Sequence, residues 1–362
     1  MKSPIKGIFF ELIQVSLGNK KNLERIPSEV EWSALLDMAC KQSLVGYLFR
    51  GVEKAFSEYD GSKPEVLFEW FGIQQETVTQ NHLHNRRVRQ LVNVFKDGGM
   101  QSCVLKGQGT AQYYDIPEYR QCGDIDLWVQ GDRDRILAFA RSNGYTINSI
   151  DQKHSDIAVF EDVPVEVHFK PSWMYNPFGN IKLQRFFNGK AERQFGNIDE
   201  KAGFVHTTVD FDLVFSMVHI FRHIFSEGVG LRQLMDYYFI LKNSTEDQRK
   251  EAYDVIRALG MSRFAGGVMW ILRERFGLDE TLMLCKPNER HGKYQLEEIM
   301  QSGNFGQYDE RTVRVDKNKR FKRGLVQLKR NLRFVGYYPS EVLWSPVWKL
   351  WHYCWRKRKG YI

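Results

Sequence analysis

The chain has 362 residues, 43% of them hydrophobic and 27% charged, the composition of a globular protein long enough for two or three compact units. No run reaches the roughly 18 apolar residues that a bilayer crossing takes. The apolar stretch of MKSPIKGIFFELIQ is broken by Glu11 and has no small-residue cleavage site after it, so no secretory signal is expected. The five cysteines (Cys40, Cys103, Cys122, Cys285 and Cys354) are dispersed, with no CxxC pair, which argues against a cysteine zinc site and for reduced thiols in a cytoplasmic protein.

The net charge of +8 is unevenly spread. Residues 306–362 hold fifteen Lys or Arg against four Asp or Glu, a surplus of eleven, so the remainder sums to −3. A basic tail of this kind predicts contact with nucleic acid, an anionic membrane surface or an acidic protein, against the plainer reading of a solvated helical surface.

The first hundred residues read as helical. Pro27-Ser28 is a start signal, and Trp32, Leu35, Leu36, Ala39 and Leu44 then recur at helical spacing. A second long helix is expected from about Glu65 to Lys96, stopped by Gly98-Gly99. The pattern then changes. SCVLKG reads as a short strand ending at Gly107, with a helix expected to start near Thr110. CGDIDLWV alternates, placing Ile125, Leu127 and Val129 on one face and Asp124, Asp126 and Trp128 on the other. DRDRILAFARSNGY reads as an amphipathic helix closed by Gly144, and DIAVFED and VPVEVHF as two strands joined at Glu161-Asp162. After about residue 205 the chain returns to helix, through VDFDLVFSMVHIFRHIF and GLRQLMDYYFILKN. Residues 286–322 are polar and carry no clear pattern. SPVWKLWHYCWRKRKG predicts a last helix with Ser345 as N-cap and Pro346 in its first turn. The expected units are an N-terminal helical region (1–98), an α/β core (99–205) and a C-terminal helical region with a basic, Trp-rich tail (206–362).

The chemistry is expected in the core. Asp124 and Asp126 lie at i and i+2 of a strand, so both point the same way, and a divalent cation relieves their repulsion. Alone, such a pair is more often a solvated strand end. In VPVEVHF, however, Glu166 faces opposite to the apolar set, as the aspartates do on their own strand. Neighbouring strands would then bring three carboxylates together, enough to hold cations for displacement at phosphorus. His168 shares the face of Glu166. Just upstream, Lys106-Gly107-Gln108-Gly109-Thr110 offers a cation and a glycine-rich turn for phosphate, although no P-loop pattern is present. Arg120 reads equally as a phosphate clamp or as a structural ion pair.

The run LKGQGTAQYYDIPEYRQCGDIDLWV, with VEVHF behind it, resembles the uncharacterised nucleotidyltransferases of the polymerase-beta-like superfamily, and HIFRHIFSEGVGLRQLMDYY resembles that group's helical His…Leu-Arg…Asp stretch. The resemblance covers roughly residues 95–245. It implies an α+β fold: a small mixed sheet with helices, flanked by helical regions. It also implies transfer of a nucleoside monophosphate from a nucleoside triphosphate, ATP being the expected donor, to a hydroxyl or phosphate, with Mg²⁺ or Mn²⁺. Asp124 and Asp126 fall on the family's metal-binding aspartates and Glu166 on its third acid. Gly107-Gln108 falls where the superfamily has Gly-Ser. Gln108 is thus a departure, unless the turn is shifted and Gly109-Thr110 takes that role.

On the helices that follow, His219 and His223 share a face, as do Arg232 and Asp236. Arg232 is a candidate phosphate ligand, and His223 and Asp236 are candidate supports. Helix packing is the plainer reading for His219 and Asp236. Without an HExxH frame, the His pair gives little support to zinc. Trp344, Trp348, Trp351 and Trp355 form a helical stripe, read first as core and otherwise as a surface for membrane or single-stranded nucleic acid. The alternatives to an active transferase are a catalytically silent binding module of the same fold and a DxD glycosyltransferase. The latter needs a Rossmann-like half before the motif.

Overall fold

A computed structural model describes residues 4–57, 64–311 and 320–361. Four helices come first: α1 (Pro4–Leu17), α2 (Glu29–Gln42), α3 (Val45–Phe56) and α4 (Val66–Asp97). Ser28 caps α2 in a reciprocal capping box with Glu31. What reads in sequence as one helix breaks at Ser43, whose backbone turns left-handed (φ 54°) and separates α2 from α3. Helix α4 spans two cores. Leu67 and Trp70 enter one, and Val88, Leu91 and Phe95 enter the other.

The sheet follows, as β1 (Ser102–Val104), the single turn α5 (Gln108–Ala111), β2 (Ile125–Val129), α6 (Arg133–Ser142), β3 (Thr146–Ile150), β4 (His154–Ala158) and β5 (Val165–His168). The spatial order is β1-β2-β5-β4-β3. Strands β2 and β5 run parallel, and the other pairs are antiparallel, so the sheet is mixed. Strand β3 adds an element to the expected strand–helix–strand–helix–hairpin order. The hairpin is the β4–β5 pair, with its turn over residues 159–164.

Beyond the sheet come α7 (Pro177–Phe195), the short pair β6 (Ile198–Asp199) and β7 (Phe204–Val205), then α8 (Val209–Ser226), α9 (Leu231–Lys242), α10 (Glu246–Ala258), α11 (Ser262–Ile271), α12 (Glu289–Ser302), α13 (Arg320–Leu332) and α14 (Pro339–Arg358). Helices from both ends of the chain share one apolar core, reached by Trp128 from the sheet. The opposite sheet face (Ile125, Leu127 and Val129) forms a second core with α4 and α6. The fold is therefore α+β, with a small mixed sheet between helical regions. Among the described residues no strand precedes Ser102, so the Rossmann-like half that a DxD glycosyltransferase needs is missing. Within the polar stretch 286–322, α12 is formed and residues 312–319 lie outside the described ones.

The last helix corrects the expected cap. Helix α14 begins at Pro339, so the first-turn proline is Pro339, and Pro346 lies inside the helix. Ser345 is buried and its hydroxyl accepts from Asn331 Nδ2 at 3.3 Å instead of capping a helix start. The Trp stripe divides. Trp348 stacks on Trp173 with centroids 3.8 Å apart, Trp344 meets Phe178 edge-on, and Trp355 lies over the Arg133 guanidinium. Trp351 stays exposed beside Leu343, Val347 and Leu350. Among the described residues no helix is long and apolar enough to cross a membrane, and all five cysteines are free thiols.

Candidate metal and nucleotide site

The site is set by strand register. In the parallel ladder Asp126 pairs with Glu166, and Ile125 and Leu127 pair with Val165 and Val167. Apolar residues at the odd positions fix one face of both strands against the second core. The even positions are thereby forced to the other face, where the carboxylates converge. One ligand oxygen each from Asp124, Asp126 and Glu166 lies within 4.8 Å of the other two. Opposed ligands of a six-coordinate Mg²⁺ are about 4 Å apart, so this all-oxygen set fits a hard divalent cation with a small closure.

Charge at this point is unbalanced. Asp126 is buried (2% exposed); its Oδ1 lies 2.7 Å from Lys106 Nζ and accepts from His168 Nε2 at 2.8 Å. Burial alone would raise the Asp126 carboxyl, but Lys106 and His168 outweigh it and hold the group below its ordinary range. Asp124 is pushed up to about 6, first by the Asp126 charge and then by burial. Burial also opposes ionisation of Glu166, yet its hydrogen bond from His168 and the charges of His154 and Lys106 hold it far below its usual value. Three acids thus face Lys106 and two histidines, His168 and His154. His168 is raised despite burial, because Asp126 and Glu166 accept from it. Its other nitrogen lies 3.3 Å from the Lys170 carbonyl, so both ring nitrogens face acceptors and the imidazolium is satisfied.

A second group adjoins the first. Ligand atoms of His154, Glu166 and His168 also lie within 4.8 Å of one another. Nitrogen donors suit a transition metal better than Mg²⁺, but both ring nitrogens of His168 are already taken by Asp126 and the Lys170 carbonyl. The sequence pattern does not single out His154. It lies opposite His168 across the antiparallel β4–β5 pair, and only that register reveals it.

The glycine-rich turn differs from expectation. The helix expected near Thr110 starts at Gln108 and is one turn long, too short for a helix dipole to matter. Gly107 has φ 55°, which glycine adopts freely and which turns the chain shortly after β1, whose end at Val104 comes before the expected Lys106-Gly107. The Gln108 side chain points away from the acids, donating to Asn85 Oδ1 at 2.8 Å and Asn81 Oδ1 at 3.2 Å on α4. Gly109 packs under His206, where a Cβ would come within 3.1 Å of it. Lys106, Gly107 and Thr110 do face the aspartates, across a small cleft of about 40 Å³.

Arg120, Arg232, Asp236 and His219 line the same cleft. Arg120 is committed elsewhere. Its Nε and Nη2 donate to the two Asp236 oxygens at 2.7 and 2.8 Å, and Tyr114 donates to Asp236 Oδ1 at 2.6 Å. Arg120 and Asp236 are therefore a buried structural pair. Arg232 donates to the Gln121 carbonyl at 2.8 Å, while its buried Nε has no hydrogen-bond partner among the described residues. Burial and the nearby Arg120 charge lower the Arg232 group. Unlike Arg120, it keeps a donor without a partner among the described residues.

On the other side of the acids lies a cavity of about 700 Å³, the size of a nucleotide- or drug-scale pocket. Asp124, Glu166, His154, His168, His219, His223, Trp173 and Trp348 contribute to its wall. Burial lowers both His219 and His223, and their rings lie 4.2 Å apart. His223 Nδ1 lies 3.4 Å from Glu227 Oε2.

No curated protein matches the chain. Among solved structures, the crystal structure of an antigenic nucleotidyltransferase-like protein from Paracoccidioides brasiliensis is similar, at 12% identity and a TM-score of 0.35, over 57% of this chain and 94% of that one. So low a TM-score leaves the assignment to sequence. There the match is broad: the family described as "Uncharacterised nucleotidyltransferase" matches residues 28–277, which include helices α2 to α4, the whole sheet and helices α8 and α9. The chain belongs to that family of uncharacterised nucleotidyltransferases.

Proposed function

We propose that this protein transfers a nucleoside monophosphate from a nucleoside triphosphate, with ATP as the expected donor, to an acceptor bound in the larger cavity. The observation that carries this reading is the Asp126–Glu166 register, which gathers three carboxylates beside Lys106. Asp124, Asp126 and Glu166 would hold Mg²⁺ or Mn²⁺. Such a cation, when bound, neutralises phosphate charge and lowers the barrier to displacement at phosphorus.

The chain's own residues supply the rest. Lys106 sits against Asp126 and is positioned to meet a phosphate oxygen. Arg232 reaches the same cleft with an Nε that has no partner among the described residues. Gly107 keeps the turn free of a side chain, and Thr110 offers a hydroxyl on its wall. His168 fixes the Asp126 carboxylate. Glu166, held so firmly ionised, serves better as a ligand than as a proton acceptor. In the reaction an acceptor oxygen bonds to the α-phosphorus, the bond to the β-phosphate oxygen breaks, and pyrophosphate leaves; a hydroxyl acceptor gives up its proton to solvent.

The experiment is incubation with each α-labelled nucleoside triphosphate, Mg²⁺ or Mn²⁺ and a cell extract. Wild type should place label on an acceptor, and Asp126→Asn should place none. Label on nothing with wild type, while Mn²⁺ and ATP still bind, would favour a catalytically silent binding module instead.

A further inference from the structure

The larger cavity contains a charge that the proposed chemistry does not use. Arg222, on α8, faces it together with Trp173, Lys153 and Trp348. Its guanidinium lies 3.5 Å from the Trp173 ring centroid and 4.2 Å from that of Tyr175. The residue is 9% exposed, and its Nη1 is buried with no hydrogen-bond partner among the described residues. Glu341 is the nearby acid whose charge it influences, but that carboxylate accepts the backbone N–H groups of Tyr175 and Asn176 at 2.8 and 3.0 Å and forms no ion pair with Arg222.

A buried guanidinium with no hydrogen-bonded acid is costly, because Glu341 acts on it only at a distance. The aromatic stack compensates for some of that cost and fixes the plane of the fork. A fixed fork with open donors is the geometry that takes a phosphate or carboxylate. Lys153 is on the same wall, where its charge acts on Asp151 and Glu227.

We infer that Arg222 anchors an anionic group, phosphate or carboxylate, of the acceptor molecule, with Trp173 and Trp348 as the aromatic wall beside it. The inference rests on the transferase reading for the word acceptor; the anion site itself does not. An acceptor held this way carries its negative group at the Arg222 end of the cavity and its nucleophilic oxygen at the carboxylate end.

The test is binding of inorganic phosphate and of succinate, measured separately by calorimetry and by quenching of tryptophan fluorescence, without metal or nucleotide. Wild type should bind at least one saturably, and the one that binds identifies the anion. Arg222→Gln should weaken that binding tenfold or more. Should Arg222→Gln fail to fold by circular dichroism, Arg222→Lys, which keeps the charge but not the fork, should weaken it several-fold. Equal affinity in wild type and the folded Arg222 variant, or no saturable binding of either anion, overturns the proposal. Binding that needs Arg222 in a protein that transfers no label would leave the anion site standing and remove the transferase reading instead.

Discussion

Asp126 and Glu166 lie directly opposite each other across the parallel β2–β5 pair, and His168, two residues beyond Glu166, closes the group by donating to Asp126 at 2.8 Å. The arrangement is a consequence of pleating. Burying Ile125, Leu127, Val165 and Val167 leaves the intervening carboxylates no face but the one they share.

His168 touches the proposed ligands through Asp126 and also contributes to the wall of the larger cavity. His168→Gln should lower transfer and Mn²⁺ affinity together, by about 10- to 100-fold, the range for groups that orient metal ligands. Loss of transfer with Mn²⁺ affinity intact would give His168 a different role.

Asp236 is expected to matter for stability. It takes a forked pair of hydrogen bonds from Arg120 and another from Tyr114, all buried. Asp236→Ala leaves the Arg120 charge buried and unpaired, which costs about 3–5 kcal/mol. Urea unfolding measures it directly, and a change below about 1 kcal/mol would show that Arg120 finds another partner or water.

Asp212 gives a pH dependence away from the carboxylate cluster. Burial, only partly opposed by hydrogen bonds from Thr207 and Tyr113, raises it from 3.8 to about 7. The folded chain keeps this proton up to about pH 7, whereas the unfolded chain loses it near 3.8. Between these values the folded state binds the extra proton, so this group's contribution to stability falls as pH rises. Stability of wild type relative to Asp212→Asn should therefore decline from about pH 4 to about pH 7, by up to a few kcal/mol. A flat difference across that window would show that Asp212 is ionised in the fold.

Much of the site is legible in sequence because it depends on period two. The alternation in CGDIDLWV and VPVEVHF predicts which residues share a face, and the parallel pairing supplies the contact. What stays hidden depends on partners distant in sequence. Arg222 is one arginine in an apolar helix until Trp173, about fifty residues earlier, is placed against it. His154 gains meaning only from the register that sets it opposite His168. Arg120 reads equally as clamp or ion pair, because no local pattern announces Asp236 as its partner. At the tail, two prolines seven residues apart both suit a first turn, and the buried contact of Ser345 with Asn331 shows that the helix has already begun there. In strand β3 the residues of TINSI alternate only weakly and its outer face stays exposed, so it carries little periodic signal.

The central claim is that carboxylates from two strands hold one divalent cation for a nucleotide. Titration of Mn²⁺ in the presence of ATP, followed by electron paramagnetic resonance on wild type, Asp126→Asn and Glu166→Gln, tests it most directly. The account predicts saturable Mn²⁺ binding by wild type and its loss in both variants, although the two substitutions lie forty residues apart on different strands. Undiminished Mn²⁺ binding by either folded variant would contradict it.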